Sequence, residues 1–328
     1  MRVRGRLTTA AAGLTVALTM VASLSACMTV NGETAVVEAL TEEEAQDALD
    51  RYVEISNEAL ADYDPERNAE AETGPKGAIR QAALSSARAL SPAGNPDFAP
   101  LQVRQVEFYI PEQAGWPKYF LADVRTNRLQ DARQLLVFTR SSVGQEWLVS
   151  YVAILPEQGV PEPAVDEGGH LEDLPTPAEG GESGLAVEPG ELAQSYAEYL
   201  RTGQGPFAEG TFTSDVVAER EEANNSAAAL TEFQDRPAEG AGNEAIAVRT
   251  EDGGALVLFA TAHDQRTTVA EGETVQVPRE LEPLMEGEAR TALTLERVAT
   301  QAAVIPPGED AEISILTRDI GVVAATGE

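Results

Sequence analysis

The stretch from Pro156 to Pro189 carries Pro161, Pro163, Pro175 and Pro177, many glycines and acids, and neither lysine nor arginine. Proline removes a backbone donor and glycine adds chain freedom, so this composition opposes both helix and sheet. It predicts an acidic linker over residues 157–188, extended and partly disordered. The linker constrains the fold because the same order of patterns stands on both of its sides. An apolar period of three to four residues comes first, and a period of two follows.

On the N-terminal side, Thr41-Glu42-Glu43-Glu44 is a capping-box pattern. Ala45, Ala48, Leu49, Tyr52, Val53, Ala59 and Leu60 then share one helical face up to Asp64-Pro65. A second helix is predicted from Lys76 to about Ala89, stopping at Ser91-Pro92. Alternating residues then mark strands around Leu101 to Ile110, Tyr119 to Thr126, Arg133 to Arg140 and Glu146 to Leu155. The short polar breaks between the last three predict antiparallel neighbours.

On the C-terminal side, Pro189 and Glu191 open a helix carrying Leu192, Tyr196, Tyr199 and Leu200, closed by Gly203. A further helix is expected after Ser214, and strands at Ile246 to Thr250 and Ala255 to Ala262 flank a turn at Glu251-Asp252-Gly253-Gly254. A hairpin through Glu271-Gly272, a short helix over 280–287, and strands over 290–303 and 312–316 complete the pattern.

Helices followed by antiparallel strands give the α+β class. The expected architecture is two tandem units, each a helix on a curved antiparallel sheet, over residues 41–156 and 189–328. The halves carry signs of an internal repeat. Asp123-Val124-Arg125-Thr126 before Leu135-Leu136-Val137-Phe138 parallels Ala247-Val248-Arg249-Thr250 before Leu256-Val257-Leu258-Phe259.

Ahead of both units, Arg2, Arg4 and Arg6 precede an uncharged run from Leu7 and the tetrad Leu24-Ser25-Ala26-Cys27. That order predicts a secretory signal peptide over residues 1–26. The run also has the ~20-residue length of a membrane helix. Gly13 and several Thr and Ser residues interrupt it, and small residues precede Cys27, which favours cleavage. The tetrad resembles the lipobox of bacterial lipoproteins. The resemblance implies a diacylglyceryl group on the Cys27 sulfur, cleavage between Ala26 and Cys27, and a lipidated tether over residues 27–40. Paired acyl chains hold a protein stably to a bilayer, where one does so marginally. Cys27 is the sole cysteine, so an internal disulfide is excluded.

Loss of the three leader arginines takes the formal net charge from -32 to -35. Such a surface repels nucleic acid and anionic headgroups, so the lipid is the expected membrane contact.

The lipobox, the helix through Tyr52, Gly115-Trp116-Pro117-Lys118 before a strand, and the Val-Arg-Thr segments together resemble a family of secreted actinobacterial lipoproteins of unknown function. The resemblance implies location at the outer face of the cytoplasmic membrane and a two-part architecture, and carries no activity. A long helix on a curved antiparallel sheet also resembles the nuclear-transport-factor-2-like (cystatin-like) cone, a likeness of fold and not of function.

Catalytic chemistry finds little purchase. His170 and His263 are the two histidines. His170 falls in the linker, and His263 at a predicted strand end beside Asp264. No nucleophile elbow, clustered metal ligands or phosphate-cradling glycine loop is present, and no cofactor is expected. The best candidate is Asp123, among Phe108, Tyr109, Trp116, Tyr119, Phe120 and Arg125. Buried at the base of a cone, its carboxyl could serve as a general base. Alternatively the aromatics fill a core and Asp123 pairs with Arg125 or caps a strand. The expectation is a lipid-anchored envelope protein with a non-catalytic binding or scaffold role toward an unknown envelope protein or small ligand. The alternative is a cone-fold enzyme using Asp123. A transporter's solute-binding component is disfavoured by the lack of strand–helix alternation.

Overall fold

The computed structural model describes residues 36–129, 131–172, 174, 183–224 and 227–328. The leader and Cys27 lie outside the described residues. The architecture is α+β, with several antiparallel sheets.

The first unit opens with β1 (Val37–Glu38) and α1 (Glu42–Asp62). Thr41 caps α1 through a complete capping box: its hydroxyl accepts from the Glu44 amide, and the Glu44 carboxylate accepts from the Thr41 amide. Tyr63, at φ 51°, ends the helix in the left-handed conformation. A short α2 (Pro65–Asn68) and α3 (Gly74–Leu90) follow. Strands β2 (Val103–Tyr109), β4 (Lys118–Thr126), β5 (Ala132–Arg140) and β6 (Leu148–Pro156) form one antiparallel sheet in the order β2-β4-β5-β6. The two-residue β3 (Glu112–Gln113) pairs with β1.

The second unit begins with a 3-10 turn at Pro189–Glu191, then α4 (Leu192–Thr202) and α5 (Ser214–Ala223). Its sheet holds β7 (Ala229–Pro237), β8 (Ile246–Arg249), β9 (Ala255–Val269), β10 (Met285–Glu286), β11 (Ala292–Ile305) and β12 (Ser314–Gly327). The order is β10-β12-β11-β9-β7, and β8 pairs with the start of β9. Strand β9 runs on to Val269 and no strand follows over 270–278, where a hairpin over 267–277 through Glu271-Gly272 was expected.

Strand periodicity divides each sheet into two faces. In the first sheet Phe120, Ala122, Val124, Leu136 and Phe138 pack against Leu49, Tyr52 and Ile55 of α1. Leu121, Leu135, Val137 and Tyr151 point the other way and meet Leu256, Leu258, Ala302 and Val304 of the second sheet. The far face of the second sheet, with Val257, Phe259, Ala303 and Ile305, is covered by Leu192, Tyr196 and Leu200 of α4. The layers therefore run α1, first sheet, second sheet, α4.

Helix α3 straps the units together. Lys76 reaches Asp319 of β12 at 3.0 Å, Ser86 donates to the Glu280 carbonyl, and Ile79 lies over Gly321. The described part of the acidic linker also belongs to this junction. Val160 and Leu171 are buried between the sheets, and Pro163 and Leu171 form bridges to Thr250 and Pro111. The expected extended linker is thus anchored at Val160, Pro163 and Leu171, while Val165 stays exposed.

Candidate functional site

The two helix-covered faces are filled differently. In the first unit, Phe120 and Phe138 stack with centroids 4.6 Å apart, and Trp147, Tyr52 and Phe108 meet them edge-on. These rings fill the face under α1. Asp123 points to the other side of the sheet, where Arg133 on β5 donates to it at 2.5 Å. Both side chains are buried, and Glu162 approaches the same guanidinium at 3.3 Å. Arg125, the partner expected from sequence, pairs instead with Glu157 at 2.8 Å. Asp123 is a buried ion-pair partner on the sheet-facing side, and the cone expected around it is occupied by aromatic rings.

In the second unit, α4 covers one half of its sheet face and leaves the other half lined by polar side chains. Here the ladders align Phe233 and Asp235 of β7 with Gln265 and His263 of β9. His263 and Gln301 of β11 follow on the same face, with Arg318 of β12 opposite Gln301. Arg297 of β11 stands directly opposite His263 on this face. Helix α5 closes the edge with Val216, Glu219 and Arg220, leaving a pocket of about 330 Å³.

Asp235 organises the pocket's back wall. Its side chain is 2% exposed. Arg220 clamps it with two hydrogen bonds, at 2.6 and 2.9 Å, and His263 donates from Nδ1 at 2.5 Å. Burial works to raise the Asp235 pKa. The bonds from His263 and Arg220 overcome that and hold it down at about 2. Arg220 also lies 4.4 Å above the Phe233 ring. A bidentate guanidinium–carboxylate pair fixes both partners, so Arg220 is committed to the wall.

His263, 2% exposed, is held below its ordinary pKa chiefly by burial; Asp235 opposes the shift, and the Arg318 and Arg220 charges add to it. The neutral ring donates from Nδ1 to Asp235, which leaves Nε2 to accept. Thr261 Oγ1 stands 2.7 Å from Nε2, and Arg318 Nη2 stands 3.3 Å from it. Gln301 meets Thr261 at 2.7 Å with its amide in either orientation; turned over, its nitrogen also reaches the Phe259 carbonyl at 3.0 Å. His263 therefore sits in mid-strand with Asp235 as its partner. Asp264, beside which sequence alone placed it, pairs with Arg236.

Two other cations complete the pocket. Arg297 donates to Gln265, a neutral acceptor. Arg318 makes its contact with His263, and its buried Nε has no hydrogen-bond partner among the described residues. Neither guanidinium has a carboxylate within ion-pair distance among the described residues. Burial opposes the charge on both. Arginine keeps its proton regardless, so both remain as half-buried charges without counterions.

A smaller pocket of about 220 Å³ lies between the units, beside Pro117, Tyr151, Gly242 and Ile246. Its charged neighbour Lys118 donates to the Val37 and Glu38 carbonyls, and the Tyr151 hydroxyl donates to the Glu244 carbonyl. These groups are already engaged in joining segments. No cluster suited to a metal ion occurs among the described residues.

A family described as a domain of unknown function, DUF8094, matches residues 36–327. The chain belongs to the DUF8094 family. The matched span takes in both sheets and the whole arginine pocket. Similar to this DUF8094 chain is an uncharacterized lipoprotein of Streptomyces coelicolor, SCO2278, 36% identical over 305 residues that cover 93% of this chain and 91% of the relative. An uncharacterized lipoprotein of Streptomyces avermitilis is 36% identical over 321 residues, covering 97% and 95%. A second from Streptomyces coelicolor, SCO6871, is 27% identical over 278 residues, covering 82% and 77%. No solved structure matches the chain at a significant level. Among the described residues no helix is long and apolar enough to cross a membrane.

Proposed function

We propose that this DUF8094 chain is a lipid-anchored binding protein that acts outside the cytoplasmic membrane and performs no chemistry of its own. In this reading residues 1–26 are removed, Cys27 carries the lipid, and residues 27–40 tether two related α+β units. The lipobox-like tetrad and the lipoprotein names of relatives matched over most of their length support the anchor. The ligand site is the pocket between α5 and the second sheet.

One observation carries the binding role: Arg297 and Arg318 are half-buried and have no carboxylate within ion-pair distance among the described residues, in a chain of net charge -32. Acids are abundant on this protein, yet among the described residues none forms an ion pair with these two groups; the exposed Glu219 at the rim and the engaged Asp235 act on Arg318 only at longer range. Leaving a buried charge unpaired costs stability, and a site kept at that cost fits a ligand that supplies the missing charge. Catalysis by His263 is the weaker reading, because its Nε2 faces the Thr261 hydroxyl and the Arg318 cation.

Fractionation of cells expressing the wild type and Cys27→Ala tests the anchor. The wild type is expected in membranes with a diacylglyceryl mass at Cys27, and the variant in the soluble exported fraction. Membrane retention of both without an acyl mass overturns it. Native mass spectrometry of detergent-released protein tests the site. A small molecule bound to the wild type and lost in Ile320→Trp, which crowds the pocket rim, is the expected result; retention by the variant overturns the placement.

A further inference from the structure

We infer that the pocket takes a small oxyanion, a carboxylate or a phosphoryl group, joined to a compact apolar body. The inference rests on the reading of this pocket as a ligand site and specifies what fills it.

The sign of the ligand follows from which charges are already satisfied. Asp235 is saturated by Arg220 and His263, so it offers nothing to a cation. Glu219 is exposed at the rim and solvated. Arg220 is spent on Asp235. What lines the cavity without an ion-pair partner among the described residues is Arg297, whose bond goes to the neutral Gln265, and Arg318, whose contact is with the neutral His263. A guanidinium presents donors in a planar fork that matches the two oxygens of a carboxylate or phosphoryl group. Such a group placed between the two arginines supplies the anionic partner that neither guanidinium has among the described residues.

The size and apolar character follow from the remaining lining. Phe233, Val216 and Ile320 flank the arginines, and Ile320 is 40% exposed. A pocket of about 330 Å³ is at the small end of ligand sites, which run from roughly 300 to 1,000 Å³. It suits one ring or a short acyl chain bearing its acid. A polyanion such as nucleic acid is opposed by the surrounding field of a chain at -32.

The neutral His263 suits the same ligand. Its Nδ1 proton and its Nε2 lone pair are both engaged within the wall, so it neither competes for the acid nor needs it. The anion is held by Arg297 and Arg318 alone.

The test is calorimetric titration at neutral pH and fixed low salt, using benzoate, phenyl phosphate, inorganic phosphate and the uncharged benzamide. The proteins are the wild type, Arg297→Gln, Arg318→Gln and Ile320→Trp. Expected is saturable binding of benzoate or phenyl phosphate, weaker binding of inorganic phosphate, and at least about tenfold weaker binding of benzamide. The tighter of the first two tells carboxylate from phosphoryl. Each arginine variant should lose about tenfold or more, which is about 1.4 kcal/mol. The unliganded arginine variants should melt no lower than the wild type, because each sheds an uncompensated charge. A structural role for the arginines would lower those melting points.

Benzamide binding as tightly as benzoate, with loss in Ile320→Trp, overturns the anion while leaving the pocket as a ligand site. Acid binding unchanged in both arginine variants does the same. No saturable binding by any probe overturns the inference, and the native mass spectrum then decides the site itself.

Discussion

Asp235 stands directly opposite His263 in the β7–β9 ladder, and accepts that ring's Nδ1 proton at 2.5 Å while holding Arg220 with both oxygens. One buried carboxylate thus ties a strand, its neighbour and α5 together. Asp235→Asn strips the charge from the centre of this knot and leaves Arg220 and the wall without compensation. It should cost about 3 kcal/mol, read as a lower midpoint in equilibrium denaturation. An unchanged midpoint would mean that α5 does not depend on the pair.

The two histidines should titrate on opposite sides of the ordinary value. Burial lowers the His263 pKa, so on acidification the unfolded chain takes up that proton first; stability from this group is present above about 6.5 and falls as pH drops below it. His170 is shifted the other way, foremost by its hydrogen bond to Glu38 at 2.9 Å. Its contribution is full below about 6.5 and is lost as pH rises through the folded-state pKa. Asp235, held at about 2, adds stability above about 3.9 that is lost as pH falls toward 2. With two imidazoles in the chain, proton NMR titration separates the histidines directly. Both moving to the same side would contradict the arrangement.

Gly74 and Gly242 mark a close backbone approach between the units. A Cβ on Gly74 would lie 2.3 Å from the Gly242 carbonyl oxygen, and its φ of +55° already disfavours a side chain. Gly74→Ala should therefore cost more than the roughly 1–2 kcal/mol expected of the dihedral alone. Gly253→Ala is the control. Its φ is +86°, but nothing lies within 4 Å, so only the dihedral cost applies. Equal losses in thermal denaturation would show that the junction yields easily.

Asp123→Asn should lower stability by up to about 3 kcal/mol, moderated by Glu162 beside the same arginine. Phe138→Ala, which opens the ring stack under α1, should cost about 4 kcal/mol. Neither should change benzoate or phenyl phosphate affinity in the second unit, provided titrations are run where both variants remain folded. A selective loss of affinity in Asp123→Asn would return that carboxylate to the functional site.

Much of the first unit is legible in sequence because each local signal agrees with its tertiary setting. Thr41 and Glu44 announce the start of α1, and the alternation in β4, β5 and β6 matches a sheet buried on both faces. The turn at Glu251–Gly254 announces the β8–β9 hairpin in the same way. Strand β7 and the second half of β9 were hidden for one shared reason. Alternation is visible when one face is apolar, and here the covered face carries Asp235, Thr261, His263 and Gln265. The residues that build the pocket are the ones that erase the strand signal. Arg318 was hidden similarly in β12, where Thr317, Arg318 and Asp319 interrupt the apolar run. Nor did arginine itself give the pocket away: among the described residues Arg104 and Arg140 also lie on strands without an acidic ion-pair partner, and only the fold brings Arg297 and Arg318 to one cavity.

The apposed sheets have a consequence for inheritance. Leu121, Leu135 and Val137 find their cover in Leu256, Leu258 and Val304, so either half alone would present a broad greasy surface to water. Such a fragment would tend to clump before it could be useful. Substitutions on one inner face must therefore be tolerated by the other, and the two halves must be transmitted, lost or recombined as a single evolutionary parcel.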